Sequence, residues 1–330
     1  MRKLICICLS CFLLGNISAQ DPHYSQFFSS PLTISPAFIG KFDGTVRVTG
    51  NFKSQWQVID RAFQTSTASV DFHIMQNYIS SADTWGVGFM GYTDKSASGA
   101  VNFNYASVGT AFHKGLDEEG SEQIGAGFQI TYANMLINTS QLHFEDQLTV
   151  NGFTNVSSEV FNNASLNSKY VDVNAGFLYS GSSSDKNYYY IGASAYHINR
   201  PKQQFTGALY LLQPRVTINS GGYFSLGESA NLHLSGLLST QSSVTEIIFG
   251  GAFERMIDQT NSLYAGGWIR LNDAIIPYLG LQMGDLRFGA TYDINTSSLK
   301  AATNLRGGLE VSLIYQRIPS TTRGIKCPKF

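Results

Sequence analysis

From about residue 44 onward, apolar and polar side chains alternate with a period of two, and the alternation restarts at short turn-like breaks to the end of the chain. Val46, Val48 and Phe52 alternate with Arg47, Thr49, Asn51 and Lys53. Further on, Ile124, Ala126, Phe128, Ile130 and Tyr132 stand opposite Gln123, Gln129 and Thr131. Near the end Leu309, Val311, Leu313 and Tyr315 face away from Arg306, Glu310 and Ser312. Strict alternation over five or more residues is the mark of a strand with two unlike faces. The pattern predicts strands near 46–53, 62–72, 85–92, 101–113, 123–132, 171–179, 188–197, 215–225, 231–238, 246–254, 263–270, 274–283, 286–293 and 305–315.

About fourteen strands is an even number, as single-chain bacterial outer-membrane barrels use. A sheet crossing lipid must close, because an open edge leaves unpaired N–H and C=O groups. Beyond residue 20 no run of about eighteen apolar residues offers a membrane helix. The expected fold is therefore all-β: a closed antiparallel transmembrane β-barrel of about 14 strands with an N-terminal plug-like segment. A secreted β-sandwich is the alternative. Two long connections, about 134–168 and 198–214, follow the fifth and seventh strands. A barrel that starts from the periplasm puts connections after odd strands outside, and those are the long ones.

Composition sharpens this choice. Charged residues make up 14% of the chain and aromatics 13%, where soluble domains average about 25% charged. Arg47, Lys53, Asp71, Asp172, Arg215, Glu246, Glu254, Arg270, Arg287, Asp293, Arg306 and Glu310 mostly fall on the face opposite the large aliphatics. An Arg or Lys facing lipid at mid-depth costs about 2–4 kcal/mol, so this face is read as the lumen. A packed polar interior and a conduction pathway both fit. The formal net charge of -1 gives no footprint for nucleic acid.

The first residues read as an export signal. Arg2 and Lys3 precede an apolar run from Leu4 to Leu14, and Ile17-Ser18-Ala19 precedes Gln20 as a cleavage site. Lipidation at Cys11 is a second reading. With residues 1–19 removed, Cys6, Cys8 and Cys11 leave and Cys327 stands alone, so no disulfide framework is expected. The divisions read from the sequence are a signal peptide at 1–19, an N-terminal segment at 20–42, a barrel at 43–316 and a periplasmic tail at 317–330. The segment 20–42 has no periodicity, and Pro22, Pro31 and Pro36 oppose a helix interior. It either fills the lumen with Tyr24, Phe27, Phe28 and Phe38, near Arg47 and Glu310, or meets a periplasmic partner.

Several stretches carry a resemblance. AQDPHYSQFFSSPLTISPAFIG (19–40) opens the mature chain, with DPHYSQF its most distinctive part. His197-Ile198-Asn199-Arg200-Pro201, GATYDINTSSL (289–299), GGLEVSLIY (307–315) and the ending Cys327-Pro328-Lys329-Phe330 follow. Together they resemble the PorP/SprF family of outer-membrane proteins, associated with type IX secretion and gliding in Bacteroidetes. Ala290, Thr291 and Leu309 depart from that pattern.

The resemblance implies an outer-membrane barrel that helps export, or anchors at the cell surface, a secreted protein with a type IX C-terminal domain, such as an adhesin. Phe144, Phe153 and Phe161 in the long loop, with His197 and Asn199, are the candidate partner contacts, since aromatic anchors amid polar residues suit recognition. A periplasm-facing scaffold touching a lipoprotein or the secretion motor, and a passive porin, are the alternatives. No phosphate loop, H-E-x-x-H or G-x-S-x-G motif is present, and the six histidines are scattered. No enzyme activity, metal or cofactor is expected.

Overall fold

The structure, a computed structural model, describes residues 21–58, 63–150, 152–154, 157–159, 161, 165–184, 187–205 and 208–317. The stretch 1–19 expected to be a signal peptide, Gln20, Cys327 and the expected tail beyond Arg317 lie outside the described residues. Eighteen strands are present among them: β1 (Val46–Gln55), β2 (Phe63–Ile74), β3 (Thr84–Ser96), β4 (Val101–Gly115), β5 (Glu122–Asn138), β6 (Leu148–Thr149), β7 (Gly152–Phe153), β8 (Ser165–Ser184), β9 (Asn187–Tyr196), β10 (Lys202–Phe205), β11 (Ala208–Leu211), β12 (Arg215–Ser225), β13 (Ala230–Gln241), β14 (Val244–Met256), β15 (Asn261–Arg270), β16 (Ala274–Met283), β17 (Leu286–Asn295) and β18 (Arg306–Arg317). Four of them, β6 with β7 and β10 with β11, form two small hairpins. The other fourteen close into one antiparallel barrel, sealed where β1 pairs with β18 from Val46↔Arg317 to Gln55↔Gly308.

The two faces separate as the alternation requires. Along β1, Arg47, Thr49, Asn51 and Lys53 are buried, whereas Val48 and Phe52 are 42% and 41% exposed. Phe128, Ile130, Val171, Ile191, Leu279 and Leu313 repeat the outward apolar face around the wall. An apolar exterior with polar groups inside is the membrane-barrel arrangement. Arg306 departs from the expected lumen face and is exposed. The reason is a one-residue shift in the β17–β18 pairing between Asp293 and Ile294, which changes the parity of what precedes Gly308.

One rim carries the ends of β1, β3, β5, β9, β13, β15 and β17 and the described parts of the connections that leave them. The opposite rim carries 75–83, 116–121, 226–229, 257–260 and 284–285, together with the end of β8, the start of β1 and the end of β18. The two longest connections thus share one rim. There β4, β5 and β8, of 15, 17 and 20 residues, rise above β9, the ten-residue neighbour of β8. On this raised wall the polarity inverts. Outward positions become Asn102, Asn104, Asn134, Asn138, Asn167 and Lys169, while Val101, Phe103, Met135, Ile137 and Leu166 turn inward. An outer face that has left the bilayer meets water, so the favourable side for apolar groups switches. The raised strands also account for the polar stretch 134–168, which the alternation read as connection throughout.

Residues 21–42 pack against the lumen-facing side chains. Glycines on the wall make room for them. An added Cβ at Gly86 would lie 2.6 Å from Gly40 Cα, and one at Gly109 2.6 Å from Ile39 Cδ1. At Gly127 and Gly176 it would overlap the Pro36 carbonyl oxygen and the Ser35 hydroxyl. Gly127→Ala is accordingly expected to lower the urea-unfolding midpoint in micelles, at a cost of about 1–3 kcal/mol. Gly91→Ala, whose added methyl meets nothing within 4 Å, should leave it unchanged.

Candidate functional site

The segment runs the length of the lumen. Its C-terminal part, near Phe38–Phe42, sits by Arg47 at the start of β1 and Asp71 at the end of β2. Its N-terminal part, near Asp21–Gln26, sits by Lys53, Arg215, Glu246 and Arg270 at the long-loop rim. Three short helical turns shorten the path: Phe27–Ser29, Pro31–Ile34 and Pro36–Phe38. Pro31 and Pro36 each occupy the first position of a turn, where the missing N–H costs nothing. The prolines thus start turns rather than interrupting them. Ser35 supports the third turn by accepting a hydrogen bond from the Ala37 amide, at 3.2 Å.

A segment without a sheet partner must find side chains for its backbone groups. Glu310 accepts from two consecutive amides, Ser25 at 2.7 Å and Gln26 at 2.9 Å. Around it, Ser25 Oγ donates to Asp293 at 2.8 Å and accepts from Arg270 at 2.7 Å and Lys53 at 3.0 Å. Lys53 also donates to the His23 carbonyl at 3.1 Å. Arg270 reaches Glu246 at 3.1 Å and Asp293 at 3.1 Å, so opposite charges alternate through this buried cluster. Burial, together with the charges of Arg270, Lys53 and Arg215, pushes His23 well below the usual imidazole range. Its 3.3 Å contact with Glu246 is therefore made by a neutral ring.

A second cluster holds Asp21. Its amide donates to Gln241 Oε1 at 2.8 Å, and its carboxylate meets His197 at 2.7 Å and Arg215 at 3.5 Å. The other His197 nitrogen meets Asp172 at 2.9 Å. Alternation after Tyr196 would send His197 outward, but its backbone takes φ 58° and the ring turns in, leaving the residue 4% exposed. Burial alone would lower its pKa, but the Asp21 and Asp172 carboxylates outweigh it and push the imidazole up to about 9. Burial likewise opposes ionisation of Asp21, while His197 and Arg215 hold its carboxyl well below the usual range.

The third cluster closes the opposite end. Asp71 accepts from the Gly40 amide at 2.8 Å and pairs with Arg47 at 2.7 Å. Arg47 donates onward to the Phe38 carbonyl at 2.9 Å. His73 and His113 reach the carbonyls of Gly40 and Ile39 at 2.6 Å and 3.1 Å. Between the ends, Ser194, Tyr196 and Arg215 donate to the carbonyls of Ile34, Leu32 and Thr33.

The lumen candidates lie together in this arrangement. Tyr24 is hydrogen-bonded to the Thr67 hydroxyl, Phe28 stacks on Trp268 at 4.5 Å, and Phe38 meets the edge of Tyr190 at 5.4 Å. Phe27 is buried in the same core as Phe38 and Trp268. Of the rim candidates, Phe144 and Phe161 stack at 5.6 Å, and Phe153 belongs to the β6–β7 hairpin. Asn199 is exposed, but its amide bonds the Val173 N–H and the Val171 carbonyl and extends the ladder past the end of β9. Both His197 nitrogens are taken by carboxylates below the surface, so the ring faces the segment rather than an external partner. Asp21, Ser25 and Gln26 went unremarked as anchors. Their one signal in the sequence was their place in the DPHYSQF stretch.

These observations define a class: a closed 14-stranded antiparallel barrel of the outer membrane, with its own N-terminal segment packed inside. More particularly, the chain belongs to the family of type IX secretion system membrane proteins PorP/SprF, whose model matches residues 16–315. Among solved structures, the TodX monoaromatic hydrocarbon channel in its deltaS2 mutant form is similar at TM-score 0.50 and 10% identity, over 87% of this chain and 93% of that one. The Pseudomonas putida toluene transporter TodX is similar at TM-score 0.49 and 8% identity, over 92% and 96%. The Ralstonia pickettii toluene transporter TbuX is similar at TM-score 0.48 and 9% identity, over 87% and 92%. At such identity the likeness concerns the fold alone. No curated protein matches the sequence.

The His197 pairing has a pH signature. An ordinary imidazole loses its proton near 6.5, whereas folded His197 keeps it to about 9. The pairing therefore stabilises fully below pH 6.5 and is lost as pH rises through 9, with a full effect of about 3 kcal/mol. Unfolding midpoints measured from pH 6 to 10 should fall more steeply for the natural protein than for His197→Gln. Parallel profiles would contradict the pairing.

Proposed function

We propose that the barrel is a non-enzymatic outer-membrane receptor that helps export, or anchors, a secreted surface protein with a type IX C-terminal domain. Membership of a secretion-system family supplies the context. The observation that carries the reading is the segment 21–42, whose backbone is hydrogen-bonded to the wall from one rim to the other. Passage of a polypeptide through the lumen would require breaking these buried hydrogen bonds and the pairing of Asp21 with His197 and Arg215, and losing one partner of a buried ion pair costs about 3–5 kcal/mol. The same packing argues against a passive porin. Recognition is therefore assigned to the rim, and by the rule that long loops face outward this is the rim of 139–164 and 197–214.

The stacked pair Phe144 and Phe161, with Leu148 59% exposed and Val150 fully exposed, gives that rim apolar contact points among polar neighbours. A photo-crosslinker at Val150 is expected to capture a secreted polypeptide that mass spectrometry shows to end in a type IX C-terminal domain. The same probe at Tyr78, 82% exposed on the opposite rim, should not. Capture from Tyr78 alone would instead favour the scaffold reading. In planar bilayers the protein should give no steady conductance, and a stable open level would overturn the filled-lumen reading.

A further inference from the structure

At the rim opposite the long loops, where β16 and β18 end and β17 begins, a cavity of about 290 Å³ opens from the lumen. Its size is close to the lower end of the range for small-molecule sites, about 300 Å³. By the rule that long loops face outward, this rim is periplasmic. Gln282, Arg287, Ile314 and Gln316 line the cavity from the strands, and Gln259 and Thr260 line it from the turn between β14 and β15.

Arg287 sets the chemistry of this cavity. The lumen arginines Arg47, Arg215 and Arg270 each pair with a carboxylate. Arg287 pairs with none among the described residues. Its guanidinium covers the Tyr264 ring at 4.9 Å, and its Nε and Nη2 both donate to Gln282 Oε1, at 3.3 and 2.8 Å. Glu254, at the hydroxyl end of the same tyrosine, is taken up by Tyr264, Asn231 and His233. Gln282 and Tyr264 thus hold one edge and one face of the guanidinium. The edge formed by Nη1 and Nη2 stays free. Arg287 is half-buried, and Nη1 makes no hydrogen bond among the described residues yet is not sealed from solvent. Two parallel N–H groups on such an edge match the two oxygens of a carboxylate. Asp285, exposed at the cavity mouth, disfavours multiply charged anions and leaves the singly charged carboxylate. The remaining polar lining suits a peptide. Gln316 Nε2 is engaged by the Asp43 carbonyl, which leaves its Oε1 as an acceptor, and the Gln259 side chain is exposed.

We propose that this cavity binds the free carboxylate end of a periplasmic peptide. The carboxylate takes the Nη1–Nη2 edge of Arg287, and the last peptide N–H donates to Gln316 Oε1. The site lies at the rim opposite the one assigned to the exported protein, so it goes beyond the receptor reading.

The test uses the full-length barrel in lipid nanodiscs, which leave both rims accessible. Saturation-transfer NMR is recorded with acetyl-L-Ala-L-Ala, which has the end of a protein, and acetyl-D-Ala-D-Ala, which has the end of a cell-wall peptide. The C-terminal amide of each serves as control. At least one free acid should show transfer and its amide should not. The L or D preference distinguishes the two sources of the same chemistry. Arg287→Gln should weaken binding about tenfold or more, the scale of a charged hydrogen-bond pair, with the melting temperature unchanged. The comparison of acid with amide needs no variant and stands if Arg287→Gln does not fold. Silence from both acids, equal signals from acid and amide, or full binding by a folded Arg287→Gln protein would overturn the site. So would binding seen only after residues 318–330 are deleted, since the cavity would then be filled by this chain's own tail. No exported protein is present, so the result is independent of the crosslinking at Val150.

Discussion

A chain segment laid inside a β-barrel has no strand beside it, so each of its backbone donors and acceptors must be met by a side chain of the wall. That requirement organises the interior of this protein. Glu310 takes the amides of Ser25 and Gln26, Asp71 takes that of Gly40, and Arg47, Arg215, Ser194 and Tyr196 answer carbonyls between Leu32 and Phe38. A carboxylate buried for this purpose needs its own counter-charge. Lys53 and Arg270 therefore stand by Glu310 and Asp293, and Arg47 stands by Asp71. The lumen charges follow from the segment, and the segment's position follows from the charges.

Such pairs gain little net stability over apolar packing of equal volume, since desolvation offsets most of the attraction. Their contribution here is to register. An apolar filler could slide within a smooth lumen. A chain whose amides meet Glu310 at one end and Asp71 at the other has one placement. The glycines opposite Pro36, Ile39 and Gly40 add a steric version of the same restriction, because the wall is hollowed only where the backbone approaches.

The barrel itself was legible because alternation reports directly on a wall with lipid on one side. The expectation of about fourteen strands met fourteen in the sheet. What escaped has physical causes. The tops of β5 and β8 alternate with inverted polarity, since their outer face has passed from lipid into water, and so they read as loop. Hairpins β10–β11 and β6–β7 have too few residues for a period to show. Aromatic content and prolines placed Tyr24, Phe27, Phe28 and Phe38 as candidates for filling, yet nothing local could pair Asp21 with His197 across 176 positions. The inward turn of His197, a candidate partner contact from the sequence, rests on a positive φ that the sequence does not announce.

Barrel width explains why a filler is needed at all. About eight strands leave an interior that side chains alone can fill, and sixteen or more leave an aqueous channel. Fourteen strands leave a lumen too wide for side chains to close. This chain packs its residues 21–42 into that lumen, bonded to the wall along its length. A wide closed barrel offers what a narrow one lacks: a broad rim on which long loops and raised strands can be spaced apart. On the reading proposed here, that rim is what the filled lumen is for. The segment fixes Arg215 and His197 at the base of the loop 197–214, and through Asp172 the foot of β8 that follows the loop 139–164. The interior thereby sets the geometry of the surface that a partner would meet.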